Sequence, residues 1–115
     1  TLRMIDEANE GGADIYLDVY PYTASSTSHS TRFIPKEYFA DGKVLENLAN
    51  PDIRAEIKAR YKSEHERIDW VLVSSCAEHK EYVGKYVCEI ADMMGCEDIE
   101  AALRIVELKN MSCFI

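Results

Sequence analysis

The chain has 115 residues, 47% of them apolar and 30% charged, which suits one soluble α/β-sized domain with a modest core. A formal net charge of −8 argues against nucleic acid and anionic membrane as partners, since both need Lys/Arg patches. No apolar run is long enough to cross a bilayer and no secretory leader is evident, so a cytoplasmic location is expected.

In chain order, Leu2, Ile5 and Ala8 fall at helical spacing, and Gly11-Gly12 is suited to end that helix. Residues 14–20 alternate as a strand does, with Ile15, Leu17 and Val19 on one face and Tyr16, Asp18 and Tyr20 on the other. Pro21 has no N–H for a ladder and stops it. Residues 21–34 then form a loop rich in hydroxyls: Thr23, Ser25, Ser26, Thr27, Ser28, Ser30 and Thr31. A strand running out into such a loop is either the mouth of a ligand site or a surface loop that caps itself with Ser/Thr turns. Pro35 begins a helical turn and Asp41-Gly42 is a turn. Residues 44–48 form a short helix.

Asn50 is placed to cap the next helix, with Pro51 in its first position and Asp52 in its first turn. That helix extends to about residue 66 and turns Ile53, Ile57 and Tyr61 inward. Its other face, Arg54, Glu56, Lys58, Arg60, Lys62 and Glu64, reads as a solvated stripe with i,i+4 pairs. Residues 69–75 form a second strand whose apolar run, Trp70 to Val73, suggests cover on both faces. Residues 76–83 are loop. A helix over 85–94 turns Val87, Ile90, Ala91 and Met94 inward and ends at Gly95. A last helix from Glu97 or Asp98 to about residue 109 buries Ile99, Ala102, Leu103 and Val106, Asn110 ends it, and residues 111–115 make a third strand. Helices alternating with strands give an α/β class with helical crossovers. The chain begins and stops inside such elements, as a piece of a longer protein would.

The run Asp18-Val-Tyr20-Pro21-Tyr22-Thr-Ala-Ser-Ser26-Thr27 resembles the D-x-Y-P-Y-x-A-x-[ST]-T segment of the N-acyl-D-amino-acid deacylases (D-aminoacylases) of the amidohydrolase superfamily. Further stretches resemble the same family in the same order. These are Ile5-Asp-Glu-Ala8 with Gly11-Gly12, Phe33-Ile-Pro35, Leu48 to Arg54, Trp70 to Ser75, and Gly84-Lys85 through Glu89-Ile90-Ala91 to Gly95.

The resemblance implies a fragment of a (β/α)8 TIM barrel carrying a helical insertion subdomain, with about three strands and four to five helices. Residues 1–34 would hold a barrel helix end, a strand and a substrate-side loop. Residues 35–83 would form the insertion, a lid over the barrel mouth with Trp70 as aromatic anchor, or plain structural padding. Residues 84–115 would return to the next barrel strand.

The implied chemistry is hydrolysis of the amide of N-acyl-D-amino acids, with zinc lowering the pKa of a bound water in the full-length enzyme. The family's metal-ligating H-x-H and its catalytic aspartate are absent from this chain, so the resemblance implies no catalytic residue, no metal ligand and no activity for the piece alone. It assigns Tyr20 to the substrate carboxylate and gives Ser26 a second hydrogen bond at the same mouth, with Tyr22 packing behind the loop. Apart from the resemblance, Tyr20 reads equally as a strand-end ring covering the core.

His29 stands where the family usually carries an apolar residue and is expected to meet either substrate or solvent, with solvent the favoured reading; His65, at the frayed end of the charged helix, is expected to face solvent. Cys76-x-x-His79 is two ligands short of a zinc site and reads as open loop. Cys76, Cys88, Cys96 and Cys113 lack C-x-x-C spacing and read as reduced thiols, at least two of them in the core. A truncated barrel would leave apolar faces bare, so self-association is expected. Two rival readings stand beside the deacylase one: a small independent α/β domain that binds or regulates a partner, and a dihydroorotase-like cyclic amidase.

Overall fold

In a computed structural model, described for residues 2–39, 42–64, 67–108 and the backbone of 112–114, the chain is mixed α/β and rich in helix. The elements in order are α1 (Leu2–Glu10), β1 (Ser26–Ser28), α2 (His29–Phe33), α3 (Val44–Ala49), α4 (Pro51–Lys62), β2 (Leu72–Ser75), α5 (Val87–Met94), α6 (Asp98–Glu107) and β3 (Ser112–Phe114). Single 3-10 turns follow Pro35 (Lys36–Tyr38) and precede α5 (Lys80–Tyr82).

The core lies where α5 and α6 pack on each other and on α2, α4 and β2. Val71, Val73, Val87, Ile90, Leu103 and Ile105 are completely buried there. The inward faces expected for α5 and α6 are the buried ones, and Met94 packs at the edge. Gly95 closes α5 in the left-handed conformation at φ 65°, a turn that a side chain would strain. The Asn50 side chain accepts the Asp52 N–H at 2.9 Å, so the predicted cap of α4 forms; the helix stops at Lys62, short of the expected end. The backbone at 68–73 also pairs with the segment leading into α5, through Val73 N–H to Lys85 O at 2.9 Å and Val87 N–H to Val71 O at 3.0 Å.

Two strand expectations are corrected. First, residues 14–20 form no strand, and every side chain from 9 to 26 is exposed. A strand needs a neighbour for its N–H and C=O groups, and the described residues supply none. Its one backbone surrogate is Asn9, whose amide bonds both N–H and C=O of Ile15 at 2.9 Å each. The first strand lies later instead, at Ser26–Ser28, inside the segment expected to be loop. Second, the sheet has the order β1-β3-β2, and β3 runs antiparallel to both neighbours. A single crossover helix returns the chain parallel. Here two consecutive helices, α5 and α6, join β2 to β3, and two passes return it reversed.

The radius of gyration, 18.3 Å, exceeds the roughly 13 Å of a compact chain this long. The excess fits the N-terminal region: no residue from 2 to 28 is buried. No described helix is long and apolar enough to cross a membrane.

Candidate functional site

Pro21 turns the chain at the end of the extended arm, and the residues after it fold back on Tyr20. The Tyr20 hydroxyl donates to the Ala24 carbonyl at 3.1 Å, and its ring meets Tyr22 edge-on with centroids 5.2 Å apart. Tyr20, Tyr22, Thr23 and Ala24 line an open cavity of about 410 Å³. Tyr20 is 63% exposed, so its hydroxyl is within reach of an incoming acceptor, and a carboxylate is a stronger one than the Ala24 carbonyl. Tyr22 does not pack behind the loop as expected; it is 70% exposed, because the described residues place nothing behind it.

Ser26 opens β1 opposite Phe114 and is exposed. Among the described residues no hydrogen bond joins Tyr20 to Ser26. The structure therefore places one on the arm and the other on the sheet edge.

The expectation for His29 is overturned. The residue begins α2 and is wholly buried, with Nε2 3.2 Å from the Ala102 carbonyl and its ring 4.6 Å from that of Phe33. Nε2 therefore carries the proton it donates, and Nδ1 is buried without a partner among the described residues. Burial drives its pKa from 6.5 down to about 4, against the opposing pull of the Ala102 carbonyl. The hydroxyl run around it suggested an exposed loop; α2 instead docks this turn on α6, which sequence periodicity over five residues cannot reveal. His65 lies outside the described residues.

Cys76 is buried and its sulfur accepts the His79 backbone N–H at 3.2 Å. The His79 ring turns away to Glu81, Nδ1 to carboxylate 2.8 Å, and stacks on Tyr82. Cys88 is also buried and Cys96 half-buried, all three with free thiols; the Cys113 side chain lies outside the described set. No group of three or more His, Cys, Asp or Glu among the described residues is placed to hold a metal ion. The described residues thus do not fit a zinc centre.

The charged face of α4 differs from a free solvated stripe. Arg54 reaches Glu100 and Glu107 at 2.9 and 2.7 Å, Lys58 reaches Glu97 and Glu100, Lys62 reaches Glu97, and Arg60 reaches Glu37. The pairs run between elements, chiefly from α4 to α6, rather than along α4. The Arg54 guanidinium is the main cause that holds the Glu100 carboxyl down at about 2. Sequence reasoning passed over Arg32. Its guanidinium lies 4.4 Å over the Trp70 ring, and its Nε is buried with no hydrogen-bond partner among the described residues. A lone basic residue at the end of a hydroxyl run was the signal available.

No family model matches the chain. A curated N-acyl-D-glutamate deacylase from Alcaligenes xylosoxydans xylosoxydans is 30% identical over 105 residues, which is 91% of this chain and 15% of that protein. The crystal structure of N-acyl-D-glutamate deacylase from Bordetella bronchiseptica, complexed with zinc and a phosphonate mimic of the tetrahedral intermediate, superposes with a TM-score of 0.54 at 26% identity. That match covers 98% of this chain and 17% of the solved one. The chain thus spans under a fifth of the length of either relative. Sequence order and three-dimensional superposition agree, and over the stretch it spans the chain is similar to N-acyl-D-glutamate deacylases, which are amidohydrolases.

Proposed function

We propose that this chain is the substrate-contacting portion of an amidohydrolase that removes the acyl group from an N-acyl-D-amino acid, and that Tyr20 and Ser26 hold the substrate. The observation that carries this reading is the exposed Tyr20 phenol at the rim of an open cavity, within the Asp18–Thr27 run that the resemblance rests on. The bare arm supports it too. Residues 14–20 have the alternation of a strand and no partner here, as a barrel strand lifted from its neighbours would. In the full-length enzyme the arm takes its place in the (β/α)8 barrel, residues 35–83 form the insertion, and residues 84–115 lead to the next strand. Zinc belongs to parts of that enzyme this chain does not span. Taken alone, the chain leaves Ile15, Leu17 and Val19 bare and self-associates through that face.

The contribution of these residues is binding and orientation. A phenol donating to a carboxylate gives a charge-assisted hydrogen bond worth about 1.5–3 kcal/mol, and the ring walls one side of the pocket. Tyr20→Phe in the full-length enzyme keeps the ring and removes the donor. It raises KM for the N-acyl-D-amino acid roughly ten- to a hundredfold, the same energy expressed as affinity. Unchanged KM and kcat would remove Tyr20 from the site.

A further inference from the structure

Ser26 belongs to a thin segment. β1 is an edge strand of three residues paired to β3, and α2, which follows it directly, is little more than one turn. The Ser28 side chain does not cap α2; its hydroxyl meets that of Ser30 at 2.8 Å instead. The buried side chains of α2 are His29 and Phe33, and of these two only the imidazole can hydrogen-bond. It does so across 73 positions of sequence, to the Ala102 carbonyl of α6. That bond suits one protonation state. Nε2–H donates to Ala102, while Nδ1 is sealed from solvent with no partner among the described residues. A second proton would put a full charge on a wholly buried ring and leave the new N–H without an acceptor. The charged groups of the elements packed around it are engaged elsewhere. On α6, Asp98 accepts the Ile68 N–H, Glu100 holds Arg54, Lys58 and Arg104, and Glu107 holds Arg54. On α4, Arg60 holds Glu37, and Tyr61, with Glu64 near it, lies against Phe33. Arg32, on α2 itself, lies over Trp70, and β1 carries no titratable side chain.

We infer that His29 is a positioning residue: it fastens β1, and with it Ser26, to α6 while its imidazole is neutral, and the segment comes away when the ring is protonated. The release is local. Little of β1 and α2 is buried beyond His29 and Phe33, whereas α5 and α6 form the core and keep their own packing. Burial holds the pKa of the fastened ring down at about 4, and in the released segment it returns to the ordinary 6.5. The fastening is therefore complete above pH 6.5 and weakens as pH falls towards 4. What the release means for substrate rests on the reading of Ser26 given above; the release itself does not.

Amide hydrogen exchange of the 115-residue chain, read by NMR and corrected for the intrinsic rate at each pH, tests this. Protection of the amides of residues 27–34 falls about twenty- to thirtyfold between about pH 7.5 and pH 5, the factor that the two pKa values set. At both pH values these amides are less protected than those of α5 and α6, and low urea accelerates them far less, because a local opening exposes little surface. His29→Leu removes the proton site and makes the protection of 27–34 independent of pH over that span. His29→Gln keeps a donor for Ala102 without titrating; it gives the same flat profile and decides the matter if the leucine variant fails to fold by circular dichroism. His79→Gln, a change at an exposed ring, leaves the wild-type fall intact. A wild-type protection that does not move with pH, an equal fall in the His29 variants, or opening of 27–34 only together with α5 and α6 would overturn the assignment. No substrate is present, so this result and the KM test of Tyr20 can each fail alone.

Discussion

The extended arm and the helical body of this chain are written in much the same alphabet, and they behave as opposites. Residues 14–20 carry Ile15, Leu17 and Val19 in strict alternation, and those three side chains are 42, 52 and 78% exposed. Ile99, Leu103 and Val106 on α6 are no more apolar, and none is more than 8% exposed. The difference is the neighbour. An amphipathic helix satisfies its own backbone and needs only a surface to lie on, which α5 and α4 provide. A strand needs hydrogen-bonding partners as well as cover. Hydrophobic pattern therefore states which face is available for burial, and the surrounding chain decides whether burial happens.

That contrast breaks most sharply on truncation. Leu103→Ala, in the body, costs about 2–5 kcal/mol by opening a cavity among fully packed residues. Leu17→Ala, in the arm, changes the stability of this chain by less than about 0.5 kcal/mol. Urea unfolding of the two variants reads both numbers, and equal losses would show that the arm is packed in solution.

A somewhat smaller effect comes from His29, which ties α2 to α6. Its folded pKa of about 4 lies below the ordinary 6.5, so between these values the unfolded chain binds a proton that the folded chain refuses. Its contribution is complete above pH 6.5 and is lost as pH falls towards 4, about 3 kcal/mol in all at 1.36 kcal/mol per unit. His29→Gln flattens the slope of urea midpoint against pH in that window and leaves it unchanged above it.

Smallest is the α4–α6 ion-pair network. Arg54→Ala leaves Glu100 half-buried without its chief partner and costs about 1–3 kcal/mol. Glu100 has a depressed pKa, so its contribution is present above the ordinary value of 4.5 and lost as pH falls through about 2. This window lies below that of His29, and pH titration of midpoints in the Arg54→Ala and His29→Gln variants separates the two.

Much of the body was legible from sequence, because its signals are local. The cap at Asn50-Pro51, the left-handed stop at Gly95 and the inward stripes of α5 and α6 depend on residues within a few positions of one another, and each forms as expected. The motif at Tyr20 was legible too, as a string of residue types, and the structure leaves that ring open to a ligand. Burial of His29, the pairing of Arg54 with Glu100 and the stacking of Arg32 on Trp70 join positions 38 to 73 residues apart, and no local period encodes them. The sheet belongs to the same class: Ser26–Ser28 is a strand because β3 lies beside it, not because Ser-Thr-Ser favours one. Sequence by itself determined which segments can satisfy their own backbone hydrogen bonds. The tertiary structure alone decided which of the remaining groups found a partner, since that depends on what the fold brings alongside.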